Sequence, residues 1–201
     1  MDSDIQNPPP QEDILPVPDA QAESGPSSGR RRSTRVCSSI LKEIEEQKVE
    51  QLVISGNLAD GIEAFHTGSE IGWAVRSTQQ LQQNQFICEY AGELITREEA
   101  NRRTEYRREN GLRGDYIYHF RHPTTGENMC IDATEETESL GRLINHSLKT
   151  PNLTSKFKQF KDNVPRILFY AMRTIEENEE LKFDYGERNR DSIEANPWLK
   201  H

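Results

Sequence analysis

Residues 141–147 read GRLINHS and residues 180–186 read ELKFDYG, and the interpretation of the whole chain depends on these two stretches. Taken alone, the Asn145-His146 pair would be a surface turn in most proteins. Tyr185 alone, at the end of a strand, would be a packed aromatic residue with a satisfied hydroxyl. Both stretches occur in one chain and in this order. That combination is far more characteristic of a single protein family than either stretch by itself.

The sequence around these stretches is typical of short strands. The strand-like texture begins near Ile71, and residues 86–90 have high strand propensity before Gly92 permits a turn. Further strands are predicted at residues 116–120, 128–133, 167–171 and 181–185. Many short strands with few helices indicate a β-rich α+β domain.

One helix is predicted among these strands. Thr96 and Glu99 form a capping box, and Gly111 ends the helix. Residues 122–126 are predicted as the turn between two strands. The lysine-rich segment after Ser147 is interpreted as a long loop.

The first part of the chain differs in composition from the rest. Residues 1–29 hold no Lys or Arg and six prolines, which predicts a disordered, acidic and Pro-rich tail. Residues 30–58 combine an arginine cluster with a helix that Ser38 or Ser39 caps and a glycine ends. Residues 59–201 would then form the folded domain.

The composition limits the class of protein. Of the 201 residues, 33% are hydrophobic and 29% are charged, and the formal net charge is −9. An acidic surface would suit a basic partner such as a histone tail, although plain solubility is the simpler explanation. Cys37, Cys88 and Cys130 lie far apart, which argues against a disulfide framework and against a zinc site, so no metal is expected. The cysteine usage favours a reducing compartment.

No apolar run approaches the roughly 20 residues that a membrane-spanning helix needs. No charged-then-apolar secretion signal opens the chain. These observations predict a soluble intracellular protein.

The two stretches resemble the paired signature of SET-domain lysine methyltransferases, R-x-x-N-H-S followed by E-L-x-[FY]-D-Y-G. Residues 192–201 read SIEANPWLKH, which is similar to the C-terminus of the animal histone H4 lysine-20 monomethyltransferases within that family. The resemblance covers roughly Arg31 to His201. It implies a SET fold of small sheets with a C-terminal pseudoknot, in which one signature segment passes beneath a loop of the other.

The resemblance implies that the chain transfers a methyl group from S-adenosylmethionine to a lysine of a nucleosomal histone tail, with lysine 20 of histone H4 as the expected target. It also implies a monomer located in the nucleus, on chromosomes. A chromatin-binding SET module with weak or no catalysis is the alternative. A non-histone lysine substrate stays open as well.

The resemblance also implies roles for aromatic residues. In such enzymes the protein must orient the reactants, desolvate the amine and stabilise a methyl group that carries positive charge. Phenolic oxygens suit the last task because they present a negative dipole without a competing nucleophile. Tyr185 matches the catalytic tyrosine, whereas Tyr90 and Phe183 match positions beside the lysine channel. Tyr90 also fits an ordinary strand aromatic.

Several positions match cofactor contacts of the family. Trp198 is expected to cover the adenine, although a tryptophan near a chain end also fits a hydrophobic anchor. The expected cofactor-binding residues are Gly72, Tyr116, Arg142, Asn145, His146 and Trp198.

The chain departs from the family pattern in two places. Residues 69–72 read SEIG where K-G-R-G is usual, so only Gly72 is retained. Glu70 restricts the backbone and places a carboxylate near the cofactor's own carboxylate, which favours the non-catalytic alternative. Phe183 stands where the histone H4 lysine-20 monomethyltransferases have tyrosine.

Arg31, Arg32 and Arg35 resemble the arginine anchor by which those enzymes dock on the nucleosome. Arginine forks suit acidic pockets and phosphates, so the acidic patch or the DNA would be the partner surface. A nuclear-localisation patch or a solvated basic run would show the same composition.

Overall fold

The computed structural model describes residues 28–56, 60–68, 72–112, 114–186, 188, 190, 194 and 200, and the side chains among them from residue 37 onward. The predicted disordered tail therefore lies almost wholly outside the described residues, as does Trp198. Contacts divide the chain into residues 1–41 and a compact unit of residues 42–201. No helix within the described ranges is long and apolar enough to cross a membrane.

Helix α1 (Ser28–Ile54) begins earlier than the sequence predicts. The predicted cap at Ser38 or Ser39 is wrong because the arginine-rich segment before it contains no helix-breaking residue and is itself helical. The helix ends at Ile54, and the predicted terminator Gly56 follows it in a turn with a φ of +68°, which suits glycine. Val49 and Val53 of its last turns belong to the compact unit and pack there against Phe86.

Within the described residues the strands form three sheets. A hairpin pairs β1 with β2, a second sheet has the order β3-β9-β8-β10-β7, and a third has the order β4-β6-β5. The strands are β1 (Ile62–His66), β2 (Trp73–Ser77), β3 (Phe86–Glu89), β4 (Glu93–Thr96), β5 (Ile117–Arg121), β6 (Asn128–Asp132), β7 (Asn145–His146), β8 (Leu153–Gln159), β9 (Pro165–Ala171) and β10 (Lys182–Phe183). The predicted β-rich α+β architecture of small sheets is confirmed.

Helix α2 (Arg97–Glu109) lies where the sequence predicts a helix. The hydroxyl of Thr96 accepts a hydrogen bond from the backbone N–H of Glu99 at 3.2 Å, and Gly111 takes up a φ of +65° after the last turn. The Glu99 carboxylate accepts from Arg102 and Arg103. Local sequence was therefore sufficient to predict both the cap and the end of the helix.

The lysine-rich segment predicted as a loop is strand β8, so that prediction is wrong. Its alternate residues lie on two faces of the sheet: Phe157 packs against the core, whereas Lys156 and Lys158 lie on the other face. Lys156 lies 4.4 Å from the centroid of the Tyr170 ring, and Lys158 pairs with Glu46 of α1 at 2.7 Å. Long lysine side chains can cover apolar surface in this way, so a lysine-rich composition does not exclude a strand.

The two signature stretches meet in the five-stranded sheet. Strand β10 lies between β7 and β8 and is parallel to both, so residues 147–152 cross β10 to connect its neighbours. Asn152 is buried and fastens this crossing, because its amide donates to the Glu180 carbonyl at 2.8 Å and its oxygen accepts from the Lys182 N–H at 2.8 Å. This crossing is the part of the predicted pseudoknot that the described residues include.

Candidate active site

Aromatic rings from separate parts of the chain meet at the inner end of the second signature stretch. Phe183 of β10 is the centre of the group, with its ring centroid 4.6 Å from Tyr185 and 4.6 Å from Phe169. Tyr118 of β5 lies 6.1 Å from Phe183 and 5.2 Å from Tyr90, which follows β3. We call Tyr90, Tyr118, Phe183 and Tyr185 the aromatic channel.

Tyr185 has its ring at the surface and its hydroxyl directed inward. The residue is 41% exposed, yet its hydroxyl donates a hydrogen bond to the Ile144 carbonyl at 3.0 Å. Desolvation of the hydroxyl, with a smaller contribution from nearby Tyr116, raises the pKa of Tyr185 to about 12. The phenol therefore stays protonated at neutral pH, with its proton held by a backbone carbonyl.

The other channel residues are more deeply enclosed. Phe183 is buried, and so is Tyr90, whose pKa is raised above its usual range first by burial and then by the neighbouring Tyr185. The hydroxyl of Tyr118 donates to the Ser155 hydroxyl at 2.7 Å, and burial raises its pKa too. The four rings thus pack against one another, and the three phenols among them stay neutral.

Asn145 and His146 form β7 beside the aromatic channel. The amide of Asn145 donates to the Trp73 carbonyl at 3.3 Å and to the Glu180 carboxylate at 3.3 Å. Nδ1 of His146 accepts a hydrogen bond from the backbone N–H of Tyr185 at 3.1 Å. The first signature stretch is therefore bonded directly to the second.

Gly141 makes this approach possible. A Cβ at this position would collide with the backbone carbonyl of Glu89, so only glycine allows the short 3₁₀ turn Gly141–Leu143 to pack on the end of β3. That turn leads directly into Ile144 and Asn145. The glycine of the first signature stretch thus sets the position of the residues that follow it.

Gly72 and Asn145 lie at the same place in the fold. Gly72 has a φ of +80°, and a Cβ built there would meet no atom within 4 Å. Its neighbour Trp73 supplies the carbonyl that Asn145 binds. Two of the expected cofactor-binding positions are therefore brought together next to open space.

Arg142 and Tyr116, also expected at the cofactor, contact each other. The guanidinium of Arg142 lies 4.7 Å from the Tyr116 ring centroid, and it donates to the carbonyls of Ala133 and Thr134 at 3.2 and 3.0 Å. It also pairs with Glu136 at 2.9 Å. These bonds give Arg142 a structural task, which is to hold residues 133–136 against the site.

The side chains of the remaining expected residues lie outside the described part of the chain. Trp198 and residues 69–71 lie outside the described residues. Arg31, Arg32 and Arg35 belong to α1, of which only the backbone is described in that part. In the described ranges no group of three or more His, Cys, Asp or Glu side chains is arranged to hold a metal ion.

Sequence reasoning missed Tyr118, although a signal was present. Tyr116, Tyr118 and Phe120 alternate along one strand, and alternate residues share a face of a sheet. All three pack against the main core, so the alternation identifies the face that meets the channel.

Comparison with known proteins agrees with this geometry. The SET domain family model matches residues 72–186. The chain is 40% identical to the N-lysine methyltransferase KMT5A-A of Danio rerio, over 85% of this chain and 48% of that protein. It is 37% identical to the histone-lysine N-methyltransferase Set8 of Drosophila melanogaster, over 84% of this chain and 24% of that protein.

A shorter relative and a solved structure extend the likeness. The chain is 32% identical to the histone-lysine N-methyltransferase set-1 of Caenorhabditis elegans, over 84% of this chain and 68% of that protein. A crystal structure of CpSET8 from Cryptosporidium superposes with a TM-score of 0.56 at 37% identity, and the match covers 64% of this chain and 58% of that one. The chain spans about half the length of the vertebrate relatives it matches.

Proposed function

Because the chain belongs to the SET-domain family, we propose that it is an S-adenosylmethionine-dependent protein-lysine N-methyltransferase. The observation that carries the proposal is the aromatic channel, with the inward hydroxyl of Tyr185 at one end and the Asn145-His146 pair bonded beside it. Apolar rings and neutral phenols that lie together suit the long stem and terminal amine of a lysine.

The turn at Gly72 is the place where the cofactor would approach the backbone. Gly72 has a left-handed φ and no side chain, so a ligand can approach its backbone closely. Asn145 is hydrogen-bonded to the carbonyl of the next residue, Trp73. Gly72, Asn145 and His146 would hold the cofactor, with Trp198 and Tyr116 as further expected contacts. When bound, S-adenosylmethionine supplies an electrophilic methyl group on a positively charged sulfur.

The channel residues prepare the amine. Phe183 and the ring of Tyr90 exclude water, and an apolar environment lowers the pKa of a lysine amine toward its neutral, nucleophilic form. The Tyr185 hydroxyl donates a hydrogen bond to the Ile144 carbonyl, so the lone pairs of its oxygen would be available to a positively charged group beside it. Both effects favour transfer once the two reactants are aligned.

We further propose a nucleosomal histone as the substrate, with lysine 20 of histone H4 as the target. Relatives named as histone-lysine N-methyltransferases support this choice, as do the C-terminal sequence SIEANPWLKH and the acidic charge of −9 against a basic tail. The arginines 31, 32 and 35 would dock on the nucleosome, and the protein would act as a monomer on chromosomes in the nucleus. The division into a tail, a basic segment with a helix and a catalytic domain from residue 59 is part of the same proposal.

The test uses purified full-length protein, methyl-labelled S-adenosylmethionine and recombinant nucleosomes that carry single lysine-to-arginine changes. We expect the label in histone H4, and its loss only when lysine 20 is changed. Undiminished labelling of nucleosomes that lack this lysine would overturn the proposed target.

Titration calorimetry with the cofactor distinguishes the enzyme from a chromatin-binding module. The sequence of residues 69–71 favours the chromatin-binding module, since a glutamate stands there where the family pattern has glycine. We expect saturable binding of S-adenosylmethionine by the native protein, together with turnover on nucleosomes. Nucleosome binding without any cofactor binding would favour the module.

A further inference from the structure

A cavity of about 570 Å³ lies between helix α2, the start of β4 and the end of β6. The helix contributes Arg102, Tyr106 and Arg107 to its lining, and the segment after β6 contributes Thr134 and Glu135. A cavity of this size can enclose most of a small organic molecule. We call it the α2 cavity.

The α2 cavity lies on the face of the third sheet that is turned away from the aromatic channel. Successive residues of a strand point to opposite faces of a sheet. On β6, Ile131 packs in the main core with Tyr118, whereas Cys130 packs with Ala100 of α2 and shares its face with Asp132. A molecule in the α2 cavity would therefore be a further ligand, separate from the cofactor and from the lysine.

The arginines that line the α2 cavity differ in their partners. Arg103 donates to the carboxylates of Glu93 and Asp132 at 2.7 and 2.8 Å. Arg102 pairs with a carboxylate of its own helix at 2.6 Å, and 78% of its side chain stays exposed. The Nε of Arg107 is buried and has no hydrogen-bond partner among the residues that the structure describes. A buried donor without an acceptor is costly, so an anion that accepts from this guanidinium would stabilise the site.

The side chains beside Arg107 indicate which anion would fit. A guanidinium presents parallel N–H donors that match two oxygens of a phosphate. Tyr106 is 62% exposed, so its ring offers a flat surface on which a planar group can stack. The carboxylate of Glu135 also lines the cavity and opposes an anion, but it is exposed, where water and salt screen its charge.

We propose that the α2 cavity binds the phosphate monoester of a small molecule, with the phosphate on Arg107 and a planar group of the ligand on Tyr106. Arg102 would add its positive charge at the mouth of the cavity. A cavity of this volume takes up a small molecule, whereas a DNA duplex is too wide to enter it. The inference does not depend on the proposed function, because none of these residues belongs to the aromatic channel or to the expected cofactor contacts.

The test titrates the full-length protein with guanosine 5′-monophosphate, inorganic phosphate and guanosine. S-adenosylhomocysteine is present throughout, so that the cofactor site is not available to the nucleotide. Phosphorus and proton magnetic resonance of the ligands measure the affinities. We expect saturable binding of the monophosphate and of inorganic phosphate, and binding of guanosine that is weaker than that of its monophosphate by about ten-fold or more.

Substitutions separate the contribution of the charge from that of the ring. Arg107→Gln should weaken binding of the monophosphate and of inorganic phosphate by about ten-fold or more, because charge-assisted hydrogen bonds are lost. Arg108→Gln is the matched control, since Arg108 is an exposed arginine of the same helix outside the described lining of the cavity, and it should change both affinities by less than about two-fold. Tyr106→Ala should weaken the monophosphate by about five-fold or more and inorganic phosphate by less than about two-fold.

Thermal melting shows whether each variant remains folded, and Arg107→Lys, which keeps the charge but loses the fork, replaces Arg107→Gln if the latter unfolds. Equal affinity of the native protein and the Arg107 variant for the monophosphate would overturn the inference. Guanosine bound as tightly as its monophosphate would overturn it too, because the phosphate would then contribute nothing. Short duplex DNA is the last ligand: if Arg107→Gln weakens duplex binding while the native protein binds neither phosphate saturably, the arginine serves a nucleic-acid backbone and the inference is wrong.

Discussion

The hydroxyl of Tyr185 is the single group on which the proposed chemistry depends most. Tyr185→Phe removes this hydroxyl and little volume, so we expect the turnover number to fall by about 100-fold or more while the cofactor dissociation constant changes by less than about three-fold. Steady-state kinetics and calorimetry measure the two quantities. Tyr106→Phe is the matched control, since Tyr106 is an exposed phenol on α2 and should keep full activity. Near-native turnover of Tyr185→Phe would remove the assigned role.

Phe183 lies at the centre of the aromatic group, at the position where the subfamily that the sequence resembles has tyrosine. A phenyl ring cannot hydrogen-bond a water beside the amine, and a water in an apolar pocket needs two or more polar partners to stay. Space for a second methyl group would then open. We therefore predict at least dimethyl-lysine from the native protein and a shift toward monomethyl-lysine in Phe183→Tyr.

Mass spectrometry of the methylated histone at long reaction times measures this shift. Tyr90 and Tyr118 offer hydroxyls of their own in the channel, and either could retain the water. Monomethyl-lysine as the sole product of both proteins would show that one of these groups does so and would contradict the role of Phe183.

At the scale of elements, the crossing of residues 147–152 over β10 depends on Asn152. Asn152→Leu keeps the volume but leaves the Glu180 carbonyl and the Lys182 N–H without their buried partner. We expect the free energy of unfolding to fall by about 2–4 kcal/mol, measured by urea denaturation. Asn101→Leu on the exposed side of α2 is the control and should change it by less than about 0.5 kcal/mol. A similar stability for both variants would show that the crossing is held by other contacts.

The elements also show where local sequence sufficed. Helix α2 was predicted from its cap and its terminal glycine, because the Thr96 hydroxyl and the φ of Gly111 act within one turn of the chain. Strand β8 was not predicted, since its lysines contact Tyr170 and Glu46, which lie far away in sequence. Helix α1 began earlier than expected, because serine caps are suggestive but an arginine-rich segment propagates a helix equally well.

At the scale of the whole molecule, the arginines of the basic segment should matter only on nucleosomes. Changing Arg31, Arg32 and Arg35 together to alanine removes three bidentate donors that suit acidic pockets or phosphates. We expect activity on nucleosomes to fall by about ten-fold or more, and activity on a free histone H4 tail peptide to change by less than about two-fold. Filter-binding assays with the labelled cofactor measure both.

The control changes Arg102 and Arg108 of α2 to alanine, which removes two exposed arginine charges elsewhere. It should leave nucleosome activity close to native. Equal losses of the triple variant on nucleosome and peptide would point to a folding defect and against docking. Raising the salt concentration should reduce the difference between native and triple variant, since exposed charges are screened.

The sequence by itself determined the class of fold, the positions of five of the ten described strands, the cap of α2 and the family. Each of these depends on residues close together in the chain: a period of two, a cap, a terminal glycine, or the paired stretches GRLINHS and ELKFDYG. The tertiary structure decided which side chains share a site. Tyr118 joined Tyr90 and Phe183 because β5 is brought against β3 and β10, and Trp73 reached Asn145 because the hairpin of β1 and β2 lies against the 3₁₀ turn. Such meetings arise from pairing and crossing between distant segments, which the order of residues along any one segment does not encode.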